Sequence, residues 1–278
     1  MTIQFKFLLV SILLSFIFSG CHTQKNITEN TPISNFDLKV KPTIVEVDNL
    51  GRLYIVDQKN NIINYKPDLK EQYRYANKRG GNVSTLDVTN PFKIVSFSDD
   101  FNQIKILDNT LSEISTLNLS EKFADISACA TSNDGNLWVF DPVQFKLIKI
   151  NNQGTVLLES SNVNDVGLSG VKITDIREKG NYVLLSDRNK GFYFFDNLGQ
   201  YMYTYETKDI KHFQFDGNNV VYFTSTGLKN YSVKFKERQS LSYPSDMNKP
   251  GLMYVLYHAG DLYEVNQSGI NVKRKAVK

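Results

Sequence analysis

Short apolar segments alternate with polar turns along most of the chain, and from residue 35 onward no stretch keeps a helical hydrophobic period over a useful length. One arrangement recurs, in which a glycine or proline turn is followed by an apolar strand. The turn residues that open the copies are Gly51, Pro91, Gly135, Gly180, Gly217 and Gly260. Successive copies begin 37 to 45 residues apart. This steady spacing predicts an all-β domain made of six similar units.

Each unit carries signals for four strands, joined by tight turns that are rich in Asn, Asp and Gly. In the first, third and fourth units we predict strands over residues 43–47, 53–56, 62–65, 72–75, 126–130, 137–140, 146–150, 155–158, 172–176, 182–185, 191–195 and 201–205. Four short antiparallel strands in roughly 40 residues are typical of a propeller blade. The sequence therefore predicts a six-bladed β-propeller of four-stranded blades. Seven blades are the alternative, but the length favours six.

The two ends of this domain complement each other. The last unit has three strand-like segments, at residues 252–257, 262–265 and 270–275, and so lacks its fourth strand. Residues 35–40 form a strand-like segment ahead of the first unit. We expect this N-terminal strand to complete the last blade and close the ring, because closure removes free sheet edges. The propeller domain is predicted to span residues 35–278.

The N-terminal segment has the layout of a secretory signal. Lys6 precedes an apolar run over residues 7–18, which is too short for a membrane span of roughly 20 residues. The run ends in Phe18-Ser19-Gly20-Cys21. This motif resembles the lipobox of bacterial lipoproteins, in the relaxed form of Bacteroidota, with Phe18 where Leu is usual.

The lipobox resemblance implies that residues 1–20 are a lipoprotein signal peptide and that Cys21 carries the acyl lipid, palmitate included. Residues 21–34 are polar and are expected to be a flexible tether. His22 stands where an Asp would resemble an inner-membrane retention signal, which favours the outer membrane. No acidic residue lies in 22–26, which favours the periplasmic face over the cell surface. An ordinary cleaved signal is the alternative.

The repeat itself also carries a resemblance. Residues 48–57 read Asp-Asn-Leu-Gly-Arg-Leu-Tyr-Ile-Val-Asp, and residues 133–141 follow a similar pattern. Both resemble NHL-type and six-bladed TolB-like propeller repeats. The resemblance implies the fold and says little about activity, since propellers host many functions.

Composition excludes several classes of function. With 32 Lys and Arg against 29 Asp and Glu, the chain has no concentrated basic field, so nucleic acid is not an expected partner. Two Cys and three His cannot build a disulfide framework or a cysteine- or histidine-based metal site. Neither a nucleophile elbow nor a phosphate-binding glycine loop is present. We therefore expect no catalytic residue, no metal and no cofactor other than the lipid.

Individual residues that could carry chemistry have simpler interpretations. Cys129 lies in a small-residue strand and is expected to be a buried, inert thiol, and Trp138 is expected to pack in the core. Aspartates recur after the second strand, at Asp57, Asp99, Asp141 and Asp187. They could ring the channel and bind Ca²⁺, as in lactonase-type propellers. Their repetition favours turn capping instead.

Departures from the repeat mark the candidate binding surface. Connections at residues 77–83, 160–170 and 243–251 are long, and they should emerge on the same face as the turns after the second strands. We predict that this face binds a partner through Lys78, Arg79, Phe101, Phe145, Arg188 and Lys190. Solvated loops are the alternative.

Together these observations predict a non-enzymatic lipoprotein, anchored in the outer membrane, that serves as an interaction scaffold or accessory subunit of an envelope complex. Its format is similar to that of the propeller lipoprotein accessory of the barrel assembly machinery. The alternative is a lactonase-like or glycan-acting propeller enzyme with Ca²⁺ in the central channel. Capture of a small ligand in the channel is a third hypothesis.

Overall fold

The computed structural model describes residues 32–239, 241 and 251–274, which belong to one unit, Asn30–Val277. Cys21, the predicted signal peptide and nearly all of the predicted connection 243–251 lie outside the described residues. The described residues form 24 strands and two single-turn 3₁₀ helices, Asp99–Phe101 and Val163–Val166. None of their helices has the length and apolar character needed to cross a membrane. The strands form six four-stranded antiparallel sheets, so the prediction of an all-β, six-bladed propeller is confirmed.

The blades follow one another along the chain. The first comprises β2 to β5, at Pro42–Val47, Leu53–Asp57, Asn61–Tyr65 and Glu71–Ala76. The second comprises β6 to β9, at Thr85–Asn90, Lys93–Ser98, Gln103–Leu107 and Glu113–Asn118. The third comprises β10 to β13, at Ala128–Thr131, Leu137–Asp141, Lys146–Ile150 and Val156–Glu159. In each, the first strand lies innermost.

The remaining blades repeat this order. The fourth comprises β14 to β17, at Asp175–Lys179, Tyr182–Asp187, Gly191–Asp196 and Tyr201–Glu206. The fifth comprises β18 to β21, at His212–Phe215, Asn219–Thr224, Gly227–Ser232 and Glu237–Gln239. The sixth comprises β22 to β24, at Leu252–His258, Asp261–Asn266 and Gly269–Arg274, together with β1 at Pro32–Asp37.

The N-terminal strand closes the ring as predicted. β1 runs antiparallel to β24, with Pro32 opposite Lys273 and Asp37 opposite Gly269. The strand begins and ends three residues earlier than the predicted range 35–40, because β24 pairs with the segment from Pro32 to Asp37. Phe36 carries the closure into the core, since its ring meets that of Tyr65 in the first blade edge-on at 5.7 Å.

The hydrophobic core lies between the faces of neighbouring blades. β11 shows why: Trp138 and Phe140 pack toward the fourth blade, whereas Leu137 and Val139 pack toward the second. This follows from the two-residue period of a strand with both faces buried. Each such side chain contributes about 1.5–3 kcal/mol when fully buried. The unbroken apolar strands of the sequence are therefore the contact surfaces between blades.

The alternation of strand direction gives the ring two faces. The hairpin face carries the turns from first to second and from third to fourth strand, for example residues 48–52 and 233–236. The connector face carries the turns from second to third strand and the blade-to-blade connections, for example residues 142–145 and 77–84. The central channel between the innermost strands joins the two faces.

Candidate functional site

The centre of the channel contains an ion pair between opposite blades. Glu46 lies on β2 in the first blade and Arg177 on β14 in the fourth, and these blades face each other across the ring. Arg177 Nη2 donates to Glu46 Oε1 at 2.9 Å. Both side chains are buried. His212 on β18 brings its Nε2 to 3.4 Å from the same oxygen. We call Glu46, Arg177 and His212 the channel plug.

Arg177 ties several blades together. Its Nη1 donates to Ile176 O at 2.8 Å, and its Nη2 also donates to Leu86 O of the second blade at 3.2 Å. The guanidinium carbon lies 5.8 Å from the ring centroid of Phe213 in the fifth blade. A buried guanidinium needs this many partners because its charge has lost its water.

The charges of the plug stabilise one another. Burial alone would raise the pKa of Glu46, but attraction to His212 and Arg177 and the hydrogen bonds from both hold it below its ordinary value. Burial works against the Arg177 charge, yet Glu46, Asp87 and Asp175 together raise the pKa of Arg177. Burial raises the pKa of Asp175, and Arg177 only partly offsets this. The plug is therefore a charged, internally paired group.

The plug separates two cavities. The hairpin-face mouth has a volume of about 260 Å³ and is lined by Lys179, Phe215 and Tyr257 above Glu46 and Arg177. A smaller cavity of about 40 Å³ lies on the connector side of the same two residues. Within the described part of the chain, no group of three or more His, Cys, Asp or Glu side chains is arranged to hold a metal ion.

The connector face brings together the predicted partner-binding residues. Lys78 and Arg79 lie exposed in the connection from the first to the second blade. Phe101 is 55% exposed in the second blade, and Arg188 is exposed in the turn between β15 and β16. These four side chains are accessible at the same end of the ring.

The other two predicted residues are engaged within the propeller. Lys190 Nζ donates to Ser169 O at 2.9 Å and to Gly170 O at 2.8 Å. Phe145 is half-buried against the core between the third and fourth blades, and its carbonyl accepts from Val163 N at 2.8 Å. Both residues hold the connection 160–170 in place, and Lys190 remains exposed on the connector face.

The sequence missed part of this face. Val143 and Val166 are 58% and 38% exposed, although they were hidden among polar loop residues. Val143 follows Pro142, which lines a connector-face depression of about 360 Å³ together with Asp99, Asp125 and Lys172. An apolar residue within an otherwise polar turn is the signal that could have revealed them.

Phe101 is positioned by the connection beneath it. Gly81 has a φ of +72°, and any Cβ there would collide with Asp100 and the Phe101 ring. Asp100 Oδ2 accepts from Asn82 N at 3.1 Å, which holds the turn over the connection. Gly80-Gly81 is thus a close crossing of two loops.

The aspartates that follow the second strands, and Cys129, have structural roles. Asp57, Asp141 and Asp187 each accept backbone N–H groups of their own turns, which confirms turn capping. The Asp99 carboxylate accepts from Asp100 N, the Asp99 carbonyl accepts from Asn102 N, and the residue also lines the connector-face depression. Cys129 is 1% exposed, and burial raises the pKa of its thiol, as expected for an inert cysteine.

Trp138 is buried, as predicted, and it also makes a polar contact. Its indole Nε1 donates to Glu178 Oε2 at 2.7 Å, and Lys149 Nζ lies 4.6 Å from its ring centroid. The residue therefore joins the third and fourth blades and is not accessible to a ligand.

Comparisons with known proteins bear on the fold. No protein-family model matches the chain, and no curated protein matches it in sequence. The β-propeller domain of Cps50 (Swd1) from Myceliophthora thermophila is similar, with a TM-score of 0.60 and 11% identity over 88% of this chain and 99% of that one. The Pan2 WD40 domain from Neurospora crassa has a TM-score of 0.58 and 13% identity over 82% and 73%.

An enzyme stands among the similar structures as well. An inactive variant of virginiamycin B lyase from Staphylococcus aureus, with quinupristin, has a TM-score of 0.57 and 11% identity over 87% of this chain and 98% of that one. At these identities the likeness concerns the fold alone. The chain thus has a propeller fold similar to that of a WD40 domain and of a lyase, and this fold alone assigns no function.

Proposed function

We propose that the protein is a non-enzymatic interaction scaffold, anchored through a lipid on Cys21 to the periplasmic face of the outer membrane. It acts as an accessory subunit of an envelope protein complex. Its partners are that complex and the membrane, and no nucleic acid is involved. Anchoring raises the effective concentration of the propeller near membrane proteins.

The proposal of a scaffold rests on the shape and chemistry of the connector face. Phe101 and Val143 are exposed on this face, within two residues of Asp99 and Pro142, which line the depression of about 360 Å³. Apolar anchors beside a pocket are the usual centre of a protein interface. Lys78 and Arg79, exposed in the adjoining connection, supply cations of the kind found at interface rims.

The channel plug supports the same proposal. Glu46, one of the acidic side chains around Arg177 at the centre of the channel, is already paired with Arg177 and approached by His212. A general base or metal ligand in this position would have to lose those partners first. The side chains that are free to meet a partner therefore lie on the two faces of the ring.

The anchor rests on the sequence around Cys21, where Ser19 and Gly20 precede the cysteine after an apolar run. Intact mass of protein extracted from membranes tests it, because acyl chains on Cys21 add a defined mass that Cys21→Ser abolishes. Sedimentation of the membranes in a density gradient tests the outer-membrane location.

Site-specific cross-linking in intact cells tests the scaffold. A photoreactive residue at Phe101 should give one discrete protein adduct, and Arg79→Glu should weaken it. The matched control is Leu198, which is 59% exposed on the hairpin face and should not give that adduct. Absence of a discrete adduct from both Phe101 and Val143 would remove the connector face as the partner surface.

A second candidate is an enzyme with Ca²⁺ in the channel. The observation in its favour is the hairpin-face mouth of about 260 Å³, which opens directly above the Glu46 carboxylate. Calorimetric titration of the full chain with Ca²⁺ distinguishes the two. One equivalent bound, and lost in Glu46→Gln, would establish the metal site and displace the scaffold.

A further inference from the structure

The hairpin face is the end at which the chain joins the propeller. β1 pairs antiparallel with β24, and Pro32 lies opposite Lys273 near the end of that strand. β24 is the third strand of the sixth blade, so it ends on the hairpin face. The backbone that precedes Pro32 is therefore attached at the hairpin face, on the outer edge of the sixth blade.

The distance from this attachment to the proposed lipid is short. Ten residues, 22–31, separate the lipidated Cys21 from β1, so eleven Cα–Cα steps lead from Cys21 to Pro32. Fully extended, they reach at most roughly 40 Å. A six-residue strand such as β1 spans about 20 Å. To place the connector face against the membrane, half of that reach would be used merely in passing along the sixth blade.

The two blades beside this attachment point expose cations and apolar tips on the hairpin face. The fifth blade exposes Lys234, Phe235 and Lys236 in the turn before β21. The first blade exposes Lys66 and Lys70 in the turn before β5, and Leu50 after β2. We call Leu50, Lys66, Lys70, Lys234, Phe235 and Lys236 the basic–apolar sector.

The composition of this sector fits a phospholipid surface. Phe235 and Leu50 are 60% and 53% exposed, and such side chains can enter the headgroup layer. Lysine side chains are drawn to anionic headgroups. Asp68 pairs with Lys70 at 3.0 Å and also attracts Lys66, so it partly offsets the cations of the first blade. The fifth-blade turn also departs from the repeat, since it lacks the Asp or Asn that caps the corresponding turns at Asp108, Asn151 and Asp196.

We propose that the basic–apolar sector rests on the phospholipid headgroups of the membrane that holds Cys21. The hairpin face then points toward the bilayer and the connector face points away from it. This orientation rests on the proposed lipid anchor. It also explains how a short tether leaves the partner-binding surface accessible: the face that meets partners is the one remote from the attachment.

Depth-dependent fluorescence quenching tests the orientation. The full chain, purified from membranes, is reconstituted into vesicles of phosphatidylethanolamine and phosphatidylglycerol that contain a lipid spin-labelled at the headgroup. Phe235→Cys and Phe101→Cys are compared after labelling with a thiol fluorophore. The positions are matched, at 60% and 55% exposed, and Cys129 is buried and so does not compete for the label.

We expect several-fold stronger quenching at position 235 than at position 101. Lys234→Gln with Lys236→Gln should reduce the quenching at 235, whereas Lys78→Gln with Arg79→Gln on the connector face should leave it unchanged. Phosphatidylcholine vesicles without anionic lipid should give the same reduction as the lysine variant.

The mass of Cys21, measured on the same preparation, separates the two possible failures. Equal quenching at both positions, stronger quenching at 101, or none at either, in protein that carries the lipid, overturns the orientation and leaves the anchor standing. An unmodified Cys21 overturns the anchor and the orientation with it.

Discussion

The two faces of the propeller are made from the same repeat, yet their residues are used differently. On the hairpin face the turns are short and are bonded to the next blade. Arg52 Nη2 donates to Pro91 O at 2.7 Å, and Asn133 Nδ2 donates to Gly180 O at 2.8 Å. On the connector face the segments vary in length and conformation, whereas large apolar side chains are exposed on both faces.

The difference teaches which residues serve the ring. Asp and Asn at repeated turn positions accept backbone N–H groups, so they are part of the scaffold. Residues outside this pattern do not cap turns with their side chains. They include Phe101 and Val143 on the connector face and Phe235 on the hairpin face. The channel plug separates the cavity on the hairpin side from the cavity on the connector side, because Arg177 and Glu46 line both of them.

Removal of one charge from the channel plug should cause the largest loss of stability. Arg177→Met removes the closest cation from the buried Glu46 and leaves only the contact from His212 at 3.4 Å among the partners described for this carboxylate, so we expect a loss of about 3–5 kcal/mol in the free energy of unfolding. Urea denaturation followed by far-ultraviolet circular dichroism measures it.

The double variant Arg177→Met with Glu46→Leu is the matched control. It removes both charges, so most of the lost stability should return. If the single variant lost less than about 1 kcal/mol, the range for an exposed pair, the plug would not be a buried ion pair in solution.

The fold was accessible to sequence reasoning because every blade repeats its own local signals. The prediction for β12, residues 146–150, matches the strand that is observed. The prediction of 172–176 for the first strand of the fourth blade was wrong by three residues, since β14 is Asp175–Lys179. Val171 and Ile173 are apolar because the connection itself packs into the core between blades.

The channel plug was not accessible in the same way. Glu46 and Arg177 are 131 positions apart, and only ring closure brings the first and fourth blades face to face. Each residue taken singly reads as a charged position in a strand. The exposure of side chains on the faces is equally hard to predict, because it depends on which loops cross each other. Gly81, for example, passes beneath Phe101.

Loss of a hairpin-face cap should have the next largest effect. The Asp48 side chain is fully buried and accepts from Leu50 N and Arg52 N, and from Arg52 Nε at 2.6 Å. Asp48→Ala should therefore cost about 1–3 kcal/mol in the free energy of unfolding. Asp99→Ala on the connector face loses one N–H contact and should change stability by about 0.5 kcal/mol or less.

Thermal and urea unfolding of both variants decide this comparison. Asp48→Asn keeps an acceptor for the N–H groups and loses the charge opposite Arg52, so its cost should fall between those of the wild type and Asp48→Ala. Equal costs for the two alanine variants would show that the connector-face turns are as tightly capped as the hairpins.

Low pH should weaken the ion pair of the channel plug. The pKa of Glu46 is lower in the folded protein than in the unfolded chain, so its contribution is present above the ordinary glutamate value of about 4.3 and is lost as pH falls toward the lowered value. Asp175, whose pKa is raised, contributes with the opposite sign.

The measurement is the free energy of unfolding against pH for the wild type and Glu46→Gln. The difference between the two curves should shrink as pH falls below about 4.3, because only the wild type loses a paired carboxylate. A difference that stays constant with pH would contradict the lowered pKa of Glu46.

The smallest effect on stability should accompany a large effect on binding. Phe101→Ser with Val143→Ser, and separately Phe92→Ser on the hairpin face, replace side chains that are 55%, 58% and 66% exposed. Each set should change the free energy of unfolding by about 0.5 kcal/mol or less. Only the connector-face pair should reduce recovery of the partner in detergent-solubilised membranes, because aromatic and aliphatic anchors beside a pocket dominate protein interfaces. If Phe92→Ser reduced recovery as much, the faces would not differ in function, and the distinction between residues that serve the ring and residues that meet a partner would fail at its most direct test.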